Sequence, residues 1–233
     1  MDEQAGFRKG YCTSDNLFIL HTIISKYLAH KKGRLYVAFI DFEKAFDRID
    51  HYSMFYKLLK SGVHGKMYKV LFSMYQHVKS CVRTPKGITD FFNCSLGVQQ
   101  GSVLSPLLFN IFVNDIGETL QNTELFSGVD IGLLKIIYLL FADDLTLVSS
   151  SKVGLQRLLN QLHDYCNTWK LTVNIGKTKI IVFRRGGSLK KYEKWIYNGQ
   201  QVAVTSFQGY LGIVFSWSGQ WFLAQKSLSD QFV

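Results

Sequence analysis

Apolar residues Leu17, Leu20, Ile24 and Leu28 recur every three or four positions, the spacing that lines one face of a helix. Thr13, Ser14 and Asp15 offer caps before them and Gly33 a stop after them, which predicts a helix over residues 14–30. Leu35-Tyr36-Val37-Ala38-Phe39-Ile40 is a continuous apolar run of strand length, the pattern of a strand buried on both faces. Helices are predicted next over residues 51–60, stopping at Gly62, and 66–78, followed by short strands around 79–83 and 88–94. The long apolar stretch 104–120, with Ser105 and Pro106 at its start, reads as one buried helix. Residues 135–141 and 145–149 form two strand-like runs of a hairpin with Asp143 and Asp144 at its tip. A helix over 152–169, a strand over 179–183 and shorter β segments around 195–204 and 210–215 complete the pattern. A hairpin and a separate strand interleaved with long helices imply an α+β fold, an antiparallel sheet backed by helices.

The 233 residues suffice for one large domain or two small ones, and only Pro85 and Pro106 interrupt them as prolines. The net charge of +10 is unevenly spread. From Ser151 onward basic residues outnumber acidic ones 11 to 3, against 16 to 14 before it. Such a field attracts phosphate backbones through counterion release, without reading sequence; a solvated basic face gives the same count. Cys12, Cys81, Cys94 and Cys166 lie far apart with no C-x-x-C pair, against a zinc site or disulfide framework and in keeping with a reducing compartment. The first residues lack a signal-peptide pattern. No apolar run reaches the roughly 20 residues that span a bilayer, so an intracellular protein without membrane contact is expected. Nothing in the sequence fixes an oligomeric state.

Carboxylates follow buried strands twice, at Ile40-Asp41-Phe42 and at Phe141-Ala142-Asp143-Asp144. Two such strand ends side by side would crowd three carboxylates together, and divalent cations relieve that repulsion best. Mg²⁺ suits the chemistry, since it takes oxygen ligands and fills its shell with water and substrate phosphates. Two such ions can activate an attacking oxygen and stabilise a leaving one in phosphoryl transfer. Taken singly, Asp41 equally suits a helix cap, and Asp143-Asp144 suit an ordinary hairpin turn better than a metal site.

Several segments resemble, in order, the motifs of reverse transcriptases from non-LTR (LINE-type) retrotransposons. Gln4-Ala5-Gly6-Phe7-Arg8-Lys9-Gly10 is similar to a segment just upstream of the polymerase palm. Phe39-Ile40-Asp41-Phe42-Glu43-Lys44-Ala45-Phe46-Asp47 resembles the first palm motif. Gly97-Val98-Gln99-Gln100-Gly101-Ser102-Val103-Leu104-Ser105-Pro106-Leu107-Leu108 resembles the second, and Phe141-Ala142-Asp143-Asp144 the metal-binding box. Leu171-Thr172-Val173-Asn174 with Lys177-Thr178 is similar to the fourth, and Tyr210-Leu211-Gly212 to the fifth.

The resemblance implies a palm-type polymerase. Residues 1–30 would be partial fingers, 31–60 palm, 61–96 fingers, 97–215 palm with a primer-grip hairpin, and 216–233 the start of a thumb. Asp41, Asp143, Asp144 and the Phe42 carbonyl would hold two Mg²⁺ ions, with Mn²⁺ as an alternative. Phe46 would reject a ribose 2′-hydroxyl. Gln100 and Gly101 would lie against the incoming dNTP, where glycine permits close backbone approach. Lys177, with Lys179 as second choice, would neutralise or protonate departing pyrophosphate. Arg8 and Lys9 would touch template or triphosphate, and Tyr210, Leu211 and Gly212 the primer. The implied partners are an RNA template, a DNA primer and dNTPs. The family often has arginine where Gln99 stands. The upstream fingers hairpin, the thumb, an endonuclease and a cysteine-rich tail are missing, so a piece truncated at both ends is expected. Two rival readings remain at this stage: a silent remnant that still binds nucleic acid, and a metal-dependent nuclease or nucleotide cyclase.

Overall fold

The computed structural model describes residues 4–121 and 128–220. The elements run α1 (Thr13–Ala29), β1 (Arg34–Ile40), α2 (His51–Lys60), α3 (Gly65–Gln76), β2 (Lys79–Ser80), β3 (Arg83–Thr84), β4 (Gly87–Ile88) and β5 (Phe92–Asn93). Then come α4 (Ser105–Val113), α5 (Ile116–Gln121), β6 (Val129–Ile131), β7 (Leu134–Ile136), β8 (Tyr138–Phe141), β9 (Asp144–Ser149) and α6 (Lys152–Trp169). The chain continues through β10 (Lys179–Arg184), β11 (Trp195–Tyr197), β12 (Gln200–Val204), β13 (Phe207–Tyr210) and β14 (Ile213–Ser216). The part of the expected thumb beyond residue 220 lies outside the described residues.

The main sheet has the order β11-β12-β10-β1-β9-β8, antiparallel throughout except where β10 meets β12. Strand β1 sits between β9 and β10, and every residue after Arg34 is buried. Its alternation explains the unbroken apolar run. Tyr36, Ala38 and Ile40 point into one core with α2, α4 and α6, whereas Leu35, Val37 and Phe39 point into a second with α1 and the β13–β14 hairpin. A strand covered on both faces has no polar side to show. Each of its large side chains contributes about 1.5–3 kcal/mol by leaving water. The expected α+β class is the one observed.

Three elements depart from expectation. The apolar stretch 104–120 is two helices, because Lys57 breaks it. The Lys57 ammonium, 3% exposed, donates to the Phe112 carbonyl (2.6 Å), to Asp115 (2.6 Å) and to the Tyr165 hydroxyl (2.9 Å). Its three protons thus all have acceptors. The ammonium also lies 3.8 Å from the Trp169 ring centre. A carbonyl and a side chain committed to a neighbouring helix draw the chain out of register between α4 and α5. The segment 79–94 is one long arm of two-residue strand pairs, β2 with β5 and β3 with β4, rather than two strands. Finally, the run 135–141 splits: β7 pairs with β6, a strand the pattern did not reveal, and only β8 joins the main sheet. The β11–β12 and β13–β14 hairpins turn on Asn198-Gly199 and Leu211-Gly212, all four at positive φ, as tight two-residue loops require.

At the sheet end where β1 begins, Lys31, Lys32, Arg34, Arg184, Arg185 and Lys190 surround a concavity of about 940 Å³. At the other end lie the aspartates.

Burial lowers the Lys57 ammonium to about 8, against the pull of Asp115. Replacing Lys57 by Ala removes the closest donor to the buried Phe112 carbonyl, which keeps only the Tyr165 hydroxyl at 3.4 Å, and leaves the Asp115 carboxylate without its cation. Lys57→Ala is therefore expected to destabilise the fold by about 2–4 kcal/mol in urea unfolding; a loss within experimental error would refute the account of the helix break.

Candidate active site

The site is built where β1 ends and β9 begins. Their antiparallel register pairs Ile40 with Leu145, so one further step sets Asp41 opposite Asp144. Strand β8 returns into β9 through a two-residue turn, closed by Phe141 against Asp144, with Ala142 and Asp143 at its tip. Ala142 holds φ +54. A left-handed conformation in a residue with a side chain costs on the order of 1–3 kcal/mol and persists only where the surroundings impose it.

The backbone around Asp41 is held as firmly. Its N–H donates to the Thr178 hydroxyl at 3.2 Å, and its carbonyl accepts from the Asn174 N–H at 2.8 Å. Phe42 bridges Val173, and the Glu43 N–H donates to the Thr172 carbonyl. The segment after α6 is therefore laid along the segment after β1. Turns, not a helix, follow Asp41, so helix capping is no part of its role.

Asp41 and Asp144 line a cleft of about 410 Å³ with Lys177, Lys179, Gly209 and Tyr210. Lys177 is exposed, while the Lys179 ammonium donates to the Gly176 carbonyl, which leaves Lys177 the freer of the two amines expected there. Asp144 keeps an open face to solvent. Even so, partial burial, then the charges of Asp143 and Asp41, push its carboxyl up to about 6. Among the described residues, no group of three His, Cys, Asp or Glu side chains already forms a metal-ligating set. The donor chemistry nevertheless fits a hard divalent cation: oxygen ligands from one side, mutual repulsion that a cation removes, and open space for waters or phosphate.

The other expected residues flank this centre. Phe46 is half-buried, stacked on Phe109 with ring centres 4.3 Å apart and touched edge-on by the exposed Phe7 ring at 6.3 Å. Gln100 is exposed and donates to Asp47 at 2.8 Å; Gly101 is exposed at φ +87. Arg8 donates to the Gln4 carbonyl and lies over the Tyr11 ring, whereas Lys9 is exposed. Tyr210 is placed differently from the surface residue a primer contact suggests. Its side chain, 5% exposed, packs on Phe39 and Phe215, and burial pushes its phenol up to about 12. Within that motif, half-buried Leu211 and exposed Gly212 form the outward turn.

Gln4, Asn174 and Thr178, to which the sequence assigns no role of their own, all bond to the backbone of the two acidic strand ends. The available signal was their place inside segments that already carried the family resemblance.

A family model described as reverse transcriptase (RNA-dependent DNA polymerase) matches residues 1–215. The chain belongs to the reverse transcriptase family. It is 32% identical over 150 residues to a Pol polyprotein of the type-1 retrotransposable element R2 from Nasonia vitripennis, covering 64% of this chain and 14% of that protein. It is 26% identical over 219 residues to the RNA-directed DNA polymerase of the mobile element jockey from Drosophila funebris, covering 91% and 23% respectively. This reverse transcriptase chain thus spans under a quarter of the length of either relative. Among solved structures, apo telomerase from Candida tropicalis truncated from its C-terminal domain superposes with a TM-score of 0.61 at 15% identity, covering 92% of this chain and 39% of that one. Telomerase from Candida albicans with a fragment of telomeric RNA gives 0.60 at 14%, covering 92% and 34%. The fold is thus the palm-type fold of reverse transcriptases. No helix among the described residues is long and apolar enough to cross a membrane.

The raised carboxyl of Asp144 makes a stability prediction for the metal-free reverse transcriptase. The native state holds this proton up to about pH 6, the unfolded chain only to the ordinary carboxyl value of 3.8. Stability from this group therefore falls as pH rises between those values and stays reduced above them. Asp144→Asn removes the penalty. Solvent exposure limits the gain to roughly 1–3 °C in thermal midpoint at about pH 7.5 without divalent metal, vanishing near pH 4. An unchanged or lower midpoint at the higher pH would show that neither burial nor the neighbouring carboxylates penalise the charge on Asp144.

Proposed function

We propose that this chain is the catalytic core of an RNA-directed DNA polymerase that adds deoxynucleotides to a DNA primer on an RNA template. The observation that supports it best is the β1–β9 register, which sets Asp41 opposite Asp144 in a cleft shared with Lys177. In this reading residues 31–60 and 97–215 are palm, 1–30 and 61–96 are fingers, and 216–233 begin a thumb.

Asp41, Asp143, Asp144 and the Phe42 carbonyl would hold two Mg²⁺ ions. When bound, these supply charge neutralisation for the attacking 3′-oxygen, the α-phosphate and the departing pyrophosphate. The chain's own part is chiefly placement. Asp41 and Asp144 stand at the ends of paired strands, so their carboxylates are set before substrate arrives, and preorganised charge gives phosphoryl transfer most of its rate. Lys177, an exposed amine in the same cleft, neutralises or protonates the leaving pyrophosphate. Phe46, which stacks on Phe109, is the side chain that would clash with a 2′-hydroxyl. Gln100 and Gly101 face nucleotide and template. Leu211 and Gly212 touch the primer with Tyr210 supporting them from the core, and Arg8 and Lys9 meet template or triphosphate.

Primer extension on an RNA template with Mg²⁺ and dNTPs tests the reading. Asp143→Asn is expected to lower the rate by about 10²–10³-fold; near-normal extension by this variant would refute the site. Nucleic-acid binding by the wild-type protein without extension would favour a silent remnant. Phe46→Val should raise ribonucleotide incorporation relative to deoxynucleotide by roughly tenfold or more, and an unchanged ratio would return Phe46 to the core.

A further inference from the structure

Gln4 stands outside every role assigned above, yet it is 3% exposed, and its amide reaches the tip of the aspartate hairpin. Its Nε2 donates to the Ala142 carbonyl at 3.0 Å, and its Oε1 accepts from the Ala142 N–H at 2.8 Å. Both backbone polar groups of one residue are thus held by one side chain. That residue is the left-handed, buried alanine immediately before Asp143. The same Oε1 accepts from the Gly6 N–H at 2.8 Å, which folds the incoming segment tightly against the turn.

The surroundings leave little freedom to this clasp. The Ala5 N–H donates to the Leu140 carbonyl, so residues 4–5 run as a short parallel partner of β8. A Cβ on Gly6 would stand 2.2 Å from the Ala142 nitrogen, so no side chain fits there. Asn110, buried on α4, donates to the Gly6 carbonyl at 2.8 Å and ties the segment to the helix that follows Gln100 and Gly101. A side-chain amide replaces a missing strand neighbour: it gives the strained turn the donor and acceptor that β-pairing would otherwise provide.

We infer that Gln4 is a positioning residue for catalysis, an amide clasp on the Ala142 peptide that fixes the direction of Asp143 and Asp144. The inference rests on the polymerase reading of the aspartates. It touches no substrate itself; it acts through the turn. Losing it frees the turn to relax toward ordinary backbone angles and displaces the carboxylates, and a displacement on the order of 1 Å lowers a phosphoryl-transfer rate by up to roughly 10²-fold.

The test compares wild type, Gln4→Met and Gln4→Asn. Methionine keeps the bulk and length but lacks the amide; asparagine keeps the amide one methylene short of Ala142. Amide exchange at Ala142, followed by NMR, should accelerate at least about tenfold in both variants. Single-turnover extension should slow by about 10–10²-fold per active site, with the KM for dNTP changed less than twofold and the burst amplitude retained. A merely structural role would lower the amplitude and leave the rate per site intact, and that outcome overturns the inference. So does wild-type exchange at Ala142, or a wild-type rate in the asparagine variant. If wild type extends and Asp143→Asn does not, a wild-type rate in Gln4→Met sinks the clasp alone. If wild type fails to extend, the polymerase reading falls, the catalytic role of Gln4 falls with it, and the exchange measurement decides whether the clasp exists.

Discussion

Three negative charges gathered at one end of a sheet repel one another, and nothing in their own chemistry keeps them there. What holds them is backbone pairing around them. Strand β1 is locked between two antiparallel neighbours, which fixes how far Asp41 and Asp144 reach past the last paired residues. The register leaves no slack, because a slip of one residue would send Tyr36, Ala38 and Ile40 into the wrong core. Apolar packing on both faces of a single strand thus opposes the electrostatic cost of the site. The two cannot be separated: a polar side on β1 would free the register and let the carboxylates drift apart.

The outer supports follow the same logic. Asn174 and Thr178 bond to the backbone on either side of the Asp41 side chain, and the Ala142 peptide is met by an amide from far upstream. Each contact goes to main chain rather than to a carboxylate oxygen. The acidic oxygens therefore stay available to a cation while their positions are set, the arrangement expected of a preorganised centre.

Much of this was legible in the amino-acid order. The unbroken apolar run of β1, the helical spacing in α1 and the helix over Lys152–Trp169 reflect burial patterns written locally. The strand ends bearing Asp41 and Asp143-Asp144 were visible for the same reason. What was not visible depends on distant partners. The break after α4 comes from Lys57, more than fifty positions upstream in sequence, and apolar content alone gives no hint of it. Strand β6 is three residues long and pairs only with its neighbour β7, too short for a period to register. The burial of Tyr210 depends on Phe39 closing over it, a contact that no spacing encodes. The fold itself survives at 15% identity to a telomerase, so most residue identities can change without loss of the fold.

The end of β1 at Arg34 gathers six cationic side chains, and the end at Asp41 sets carboxylates beside Lys177 and Lys179. Seven residues of strand put about 20 Å between them. The ionic atmosphere at physiological salt decays over about 8 Å, so through solvent each pole is nearly invisible to the other. A polyanion approaching from afar in dilute buffer meets the summed field of both ends, and one already in contact meets two unrelated surfaces. Its orientation on first encounter is thus a property of the medium as much as of the protein.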